Sequence, residues 1–442
     1  MHMRVAVYGI GNNFIRNYRW IADCYEIALL VDGGGSKRGT FFQGMEVQSP
    51  EILKKGVYDA ILVTPNAHGE IVSNLLSIGV KPEHMIFLND ILPSDDVGKE
   101  LSVAFLILGG LGDALIALNY IAAFRQRFSG RHIKLFLETV SGRNAYKELI
   151  PEHGLFTEIC DTSENEICPE KYHLYLSIRR YPDILYADRV RIARLCPELI
   201  DYIQLLEKYQ IFHPRYFEKD FVADGVSAAH ETICGRKRYE QPDVYGFLGL
   251  SARYGFELKT NKDAPERFGL IADKYITVHR GTEARNYTND STKLWTVDGY
   301  NAIFRYLSAE FPEYRLVCVG AEYEKNEDLI FDGINLIGQT SLPELAEIVG
   351  NASLHIDTEG GLVHLRHAVS EKPSIVLFGP TSEEFFGYEE NENIRSSSCP
   401  YPCEWMREDW SRECIREDKR RVCMENIRVE SVQAAVERVL KR

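Results

Sequence analysis

Along residues 3–88, short apolar runs alternate with stretches of helical periodicity. Val5-Ala6-Val7-Tyr8 is a β-branched run that meets a glycine turn, and a helix-like stretch follows. A second run, Ile27 to Val31, ends at Asp32; then come Asp59 to Thr64, a helix from about Ala67, and Met85 to Leu88. Strands that are apolar throughout and separated by helices predict a parallel sheet covered on both faces. Leu92-Pro93-Ser94-Asp95-Asp96-Val97-Gly98 is polar with Pro and Gly, which predicts a linker.

The pattern restarts twice. Val103 to Leu108 predicts a fully buried strand, Gly109-Gly110-Leu111-Gly112-Asp113 a tight turn, and Ala114 to Phe128 a long helix. Further strands are predicted near His132–Leu137, Phe156–Cys160 and Tyr172–Ser177, and residues 185–260 read as mostly helical. The second restart, Tyr275 to His279, opens the third unit and continues through Arg315–Gly320, Leu354–Asp357 and Ser374–Phe378 to a last helix from about Ser431. The expected class is therefore α/β with three units, at residues 1–98, 99–262 and 263–442. A chain of 442 residues is long enough for that many cores.

Composition narrows the function. The formal charge of −14 argues against nucleic acid, whose phosphates reward clustered Lys and Arg. No apolar run reaches the ~18–20 residues that span a bilayer, and no basic-then-apolar leader is present, so a cytoplasmic protein is expected. Peripheral association with the inner membrane and homo-oligomerisation both stay open.

In the first unit, Gly9-Ile10-Gly11-Asn12-Asn13-Phe14 follows a strand and opens a helix, with Asp32 about 20 residues on. That is the placement of a dinucleotide site, with Gly9 and Gly11 at the pyrophosphate and Asp32 on a ribose. Phe14 stands where the third glycine belongs, so the match is partial and a plain βα turn is the competing reading. In the other two units, candidate motifs fall at the carboxyl ends of predicted parallel strands, where open α/β sheets gather ligands. They are Gly110-Leu111-Gly112-Asp113, Lys293-Leu294-Trp295, the capping box Ser341 to Glu344, Asp357-Thr358-Glu359-Gly360-Gly361 with His364 after it, and Phe378-Gly379-Pro380-Thr381. Helix N-termini there offer free N–H groups to a diphosphate, and a lysine nearby supplies charge.

The order Gly-x-Gly-Asp, Lys-x-Trp, Thr-Ser-Leu-x-Glu-Leu, Asp-Thr, Gly, His-Leu and Phe-Gly-Pro-Thr resembles the heptosyltransferase family of glycosyltransferases over roughly residues 100–442. The resemblance implies a GT-B fold, two facing Rossmann-like halves with the active site between them and a C-terminal helix that often crosses back. The first unit resembles small Rossmann-like domains attached to polysaccharide-biosynthesis enzymes. Carried over, Asp113 would be the general base in an inverting transfer and Lys293 would hold the departing diphosphate. Gly110, Gly112, Gly281, Asp357, Thr358, Gly360 and Gly361 would line the donor site. Glu324 is a candidate for ribose hydroxyls, and His364 would touch phosphate or pack under the loop. The implied partners are a nucleoside-diphosphate heptose or hexose and a glycan or glycolipid acceptor of a bacterial surface, with Arg179, Arg180 and Arg189 candidates for an acidic acceptor. The family's Asp-Thr-Gly-x-x-His is longer by two residues here, and the loop from Arg280 to Thr292 is long. Both leave the donor sugar and base open.

Cys399, Cys403, Cys414 and Cys423 cluster near the C-terminus. They admit a structural zinc or iron site, disulfides, or reduced thiols packed near Trp405 and Trp410. A heptosyltransferase branch that modifies autotransporters carries a four-cysteine iron site with different spacing. No cofactor is expected in the reaction itself. The alternatives are a GT-B nucleotide-sugar epimerase, an NAD-dependent sugar oxidoreductase using the first unit, and a non-catalytic sugar-nucleotide sensor.

Overall fold

The apolar runs pair into three sheets, one for each unit. The structure, a computed structural model, describes residues 3–65, 69–91, 100–140, 144–162, 167–216, 228–243, 245–281, 291–399, 401–404, 406, 410–416 and 420–441. The expected linker 92–98, the helix start at Ala67, residues 282–290 of the long loop and Trp405 lie outside the described residues.

The first sheet holds β1 (Arg4–Tyr8), β2 (Glu26–Val31), β3 (Phe41–Phe42), β4 (Met45–Gln48), β5 (Ala60–Val63) and β6 (Met85–Phe87), in the order β3-β4-β2-β1-β5-β6. Only β3–β4 is antiparallel. This hairpin, absent from the sequence expectation, turns through Gln43 and Gly44, both at positive φ, which suits a primed two-residue turn. Helix α1 (Asn12–Cys24) buries Phe14, Trp20 and Ile21 against the sheet.

The second sheet is β11-β10-β7-β8-β9, from β7 (Leu101–Ile107), β8 (Ile133–Val140), β9 (Glu158–Thr162), β10 (Leu174–Ile178) and β11 (Pro182–Ala187). β11, unexpected from sequence, closes one edge antiparallel to β10. After β7 comes helix α2 (Leu111–Arg127), buried at every position from Ala114 to Ala122. Its two faces serve different cores. Ala117, Leu118, Tyr120 and Ile121 pack into the second unit, whereas Leu115 and Ile116 pack among Tyr275, Leu345, Ile348 and Leu362 of the third. A helix that is apolar all round is apolar because it is covered all round.

Residues 185–260 are helical only in part. Helices α3 (Arg189–Leu195) and α4 (Pro197–Tyr216) form, but the described residues 241–243 and 245–260 are in loops and turns. Asp243 anchors them by accepting from Leu248 N and Gly249 N at 2.9 Å each. Val190 and Ala193 of α3 reach back into the first unit's core.

The third sheet is wholly parallel: β14-β13-β12-β15-β16-β17, from β12 (Tyr275–His279), β13 (Arg315–Val319), β14 (Gly333–Asn335), β15 (Leu354–Thr358), β16 (Ser374–Phe378) and β17 (Glu392–Arg395). Helices α5 (Val297–Glu310), α6 (Leu342–Asn351) and α7 (Gly361–Val369) lie between its strands. The last helix, α8 (Val429–Leu440), places Val432, Ala435 and Val436 in the same core as α5. No helix among the described residues is long and apolar enough to cross a membrane.

Candidate functional site

The carboxyl ends of the second and third sheets face one cleft of about 600 Å³. Gly110, Gly112, Asp113, Gly281, Lys293, Glu324, Gly360, Gly361 and His364 all line it. Residues read from motifs more than 100 positions apart are thus brought together.

Two helix N-termini meet here. α2 is capped by Gly110 and α7 by Gly360, neither with a side-chain cap. Close approach is the reason for glycine. A Cβ on Gly112 would stand 2.6 Å from His364 Cδ2, and one on Gly361 would stand 3.1 Å from Leu111 Cβ. α7 carries no acidic residue in its first turn, so its free N–H groups and positive dipole end are uncompensated.

Asp113 is the third residue of α2, with Oδ2 accepting from Gly110 N at 3.2 Å. Gly109, at φ +129°, leaves room for this carboxylate, since a Cβ there would lie 2.5 Å from Oδ2. Oδ1 accepts from Arg238 Nη2 at 2.7 Å. The Asp113 side chain is 39% exposed, open to the cleft, and Arg238 is 4% exposed. The cleft walls push the Asp113 pKa up, but the Arg238 and Arg180 guanidinium groups outweigh them and hold it below the usual carboxylate range.

Lys293 donates to Glu359 Oε2 at 2.6 Å, and both are largely buried. The lysine expected to greet a diphosphate therefore has a carboxylate on it, supplied by the residue inside the lengthened Asp357–His364 motif. Beside it Glu404 is buried, and burial together with Glu359 lifts its pKa to about 8.

Asp357 and Thr358 do not line the cleft as expected. Both are 1% exposed, one layer beneath it, because they belong to the central strand β15. Asp357 Oδ1 pairs with His279 Nδ1 at 2.7 Å, and Glu324 Oε2 meets His279 Nε2 at 3.1 Å. Burial alone would lower the His279 pKa, but the two carboxylates raise it to about 10, so it stands as an imidazolium between them. Glu324 also accepts from Ala321 N at 2.6 Å. His364 is 6% exposed, with Nδ1 2.5 Å from Tyr388 Oη, and burial lowers its pKa to about 4. Its ring is neutral and lines the cleft from beside Gly112.

Arg238, His279 and Glu359 were missed from sequence. His279 had a signal, as the last residue of a buried strand at the ligand-gathering end of the sheet; Glu359 had one in the motif's extra length. Arg238 had none. Of the basic candidates, Arg180 acts on Asp113 electrostatically. Arg189 instead pairs with Glu207 and lies by Asp23 of the first unit, away from the cleft.

The glycine turn of the first unit forms, but Asp32 is engaged within its own loop. It accepts from Ile10 N at 2.8 Å and Gly34 N at 2.7 Å. Lys37 Nζ also closes on Ile10 O at 2.5 Å. Oδ2 thus braces the turn around Gly9 and Gly11 and Oδ1 the loop at Gly34, a local structural role for Asp32.

The four C-terminal cysteines converge. Cys403 is pushed up to about 12 by burial and then by Cys423, Cys414 and Cys399, and all ten cysteines of the chain are free thiols. As they stand, no three His, Cys, Asp or Glu among the described residues are arranged to hold a metal ion. The segment between these thiols also builds the cleft. Thr292 Oγ1 donates to Trp410 O at 2.8 Å and Thr292 N to Ser411 O at 3.1 Å, beside Lys293. Trp410 and Ser411 thereby line the wall.

Comparisons with known proteins agree with this geometry. Residues 205–414 match the model of glycosyltransferase family 9 (heptosyltransferase), and residues 1–86 match a family described as C2185-like, N-terminal. The chain is 36% identical over 52 residues to lipooligosaccharide heptosyltransferase 2 of Haemophilus influenzae, 12% of this chain and 15% of that protein's length. It is similar in structure to the iron-containing dodecameric glycosyltransferase TibC of enterotoxigenic E. coli, at TM-score 0.50 and 16% identity over 78% of this chain and 80% of that one. A family 9 glycosyltransferase of Veillonella parvula gives TM-score 0.49 and 16% identity over 77% and 97%. The two facing, mostly parallel sheets form a GT-B fold, and the family 9 glycosyltransferase match spans residues 205–414 of it, with a further α/β unit at residues 1–86.

Proposed function

We propose that the chain transfers a heptose or hexose from a nucleoside diphosphate to a hydroxyl of a bacterial surface glycan or glycolipid, with inversion. The observation that carries this reading is the cleft itself. It places an ionised carboxylate, Asp113, on one half, and on the other Lys293 with the bare N-terminus of α7. The diphosphate needs positive charge as the glycosidic bond breaks, and Lys293 and the α7 N–H groups supply it once Glu359 gives way. Asp113 takes the proton of the attacking hydroxyl. Its lowered pKa keeps it ionised at neutral pH, and the hydroxyl becomes acidic only as its new bond forms. In this reading no metal enters the reaction. Zinc or iron on Cys399, Cys403, Cys414 and Cys423 would be structural and would require the thiols to draw together.

A thermal-shift panel of ADP, GDP, UDP and CMP with their sugar conjugates tests the donor site. A shift by one nucleoside diphosphate, lost in Lys293→Ala, is expected. Transfer assays should then find Asp113→Asn able to bind donor but inactive. No shift with any nucleotide, or full transfer by Asp113→Asn, sinks the reading.

A further inference from the structure

Arg238 occupies an unusual position. It sits on a short helical turn, Arg238–Glu240, in the segment that connects the two halves of the cleft. The turn is tied locally by Lys237 N donating to Glu240 Oε2 at 2.7 Å. Gln241 at its end donates to Tyr181 Oη of the second unit at 3.1 Å, but its other anchors lie in the third. Lys237 Nζ donates to Glu384 O at 2.8 Å, and the Tyr239 ring stacks on Tyr388 with centroids 5.9 Å apart and planes within 7°. Tyr388 in turn holds His364, against which Gly112 packs. From this footing on one half, Arg238 reaches the carboxylate of Asp113 on the other.

The arrangement is costly to the fold. Arg238 is buried, its Nη1 has no hydrogen-bond partner among the described residues, and beyond Asp113 its Nη2 meets Arg179 O at 3.4 Å. A buried donor left unbonded carries its full desolvation penalty. A guanidinium placed for stability alone would be satisfied on both forks.

We infer that Arg238 is a positioning residue: it fixes the orientation of Asp113 and keeps it ionised, and because its turn is held by the opposite half, the base is set only when the halves are closed. The inference rests on the reading of Asp113 as general base. Asp113 has Oδ2 on Gly110 N and Oδ1 on Arg238, which leaves one lone-pair direction on each oxygen for an incoming hydroxyl. The charged and titratable groups that face it are Arg238 on the turn, Arg180 after β10, and His364 on α7, with Glu359 beyond His364.

The test compares native enzyme with Arg238→Met, Arg238→Lys and Asp113→Asn, using the donor found by the thermal-shift panel and a transferable acceptor. Folding is checked by melting temperature and by the calorimetric Kd of the nucleoside diphosphate, both expected to stay near native. In Arg238→Met the acidic limb of the kcat/KM profile should move up by about 1–3 pH units. Its kcat should stay about 100-fold low even at pH 9, where the base is ionised in every variant, because orientation is lost as well. Arg238→Lys keeps a charge without the fork, so its limb should stay near native while kcat falls. An acidic limb that does not move in a folded Arg238→Met overturns the inference. So does a loss confined to KM or to nucleotide affinity. If Asp113→Asn still transfers sugar, the underlying reading has failed instead, whatever the Arg238 variants do.

Discussion

Replacing Gly112 by alanine should leave the protein folded and disable the cleft. Gly112 is the second residue of α2 and has no positive φ, so the backbone accepts alanine and intrinsic helix propensity favours it by up to about 1 kcal/mol. The obstacle lies across the cleft. The added methyl would stand 2.6 Å from His364 Cδ2, about 1 Å inside an ordinary carbon–carbon contact of roughly 3.5–4.0 Å. His364 has little room to yield, being buried and held by Tyr388 Oη at 2.5 Å. Behind it, Gly361 Cα would lie 3.5 Å from the same methyl. Overpacking of this kind costs about 1–3 kcal/mol, partly offset by the helix gain, so the melting temperature should fall by only a few degrees. Relief by parting the two helix ends displaces Asp113 from the donor side by about 1 Å, a misplacement that can cost roughly 100-fold in turnover. Steady-state kinetics of sugar transfer, with calorimetric donor binding as control, measure this. A Gly112→Ala enzyme within twofold of native kcat/KM would refute the argument that glycine is there to let the halves meet.

Glu359→Gln should free Lys293 from a pair that competes with the diphosphate, tightening nucleoside-diphosphate binding about fivefold for roughly 1 kcal/mol. An unchanged Kd by calorimetry counts against that competition. His279 is held by Asp357 and Glu324 at a pKa of about 10, above its unfolded value of about 6.5. A raised folded pKa stabilises fully below about pH 6.5 and is lost as pH rises through 10, so the melting temperature should fall across that window. His279→Asn should remove most of that slope and cost about 3–5 kcal/mol, because two buried carboxylates lose their counter-ion. A native-like melting profile in that variant removes the ion triad from the account. If zinc or iron draws the four C-terminal thiols together, metal analysis of the purified protein should find about one ion per chain, and Cys403→Ser should lose it with several degrees of melting temperature. Metal-free protein with all four thiols open to a thiol reagent would exclude the metal.

Much of the fold was legible because its strands are buried on both faces and so read as unbroken apolar runs. β7, β12, β15 and β16 are of this kind, and the motifs sit where those strands end. The edges were harder. β3–β4 is too short for a pattern, and β11 begins at Tyr181-Pro182, which looks like a turn because proline cannot donate to a ladder. Asp113 and Lys293 were legible from motif order, but whether a conserved-looking aspartate lines a cleft or underlies it was not. Asp357 and Thr358 end a central strand, and the chain reaches the cleft only at Glu359 and Gly360. Arg238 illustrates a deeper limit, since its turn gains meaning only from Glu384 and Tyr388, some 150 residues away in sequence.

Helix α2 has a consequence for how the molecule can move and how it can be taken apart. With Ala117 and Ile121 in one core and Leu115 and Ile116 in the other, it works as a shared axle. Wide opening of the cleft would drag apolar side chains into water, so substrates should enter by small rocking about this axis, with loop rearrangement. The same geometry means that residues 263–442 expressed alone would display a greasy socket where Leu115 and Ile116 belong. Such a fragment would invite self-association, and a soluble half would first need that socket recoloured with polar residues.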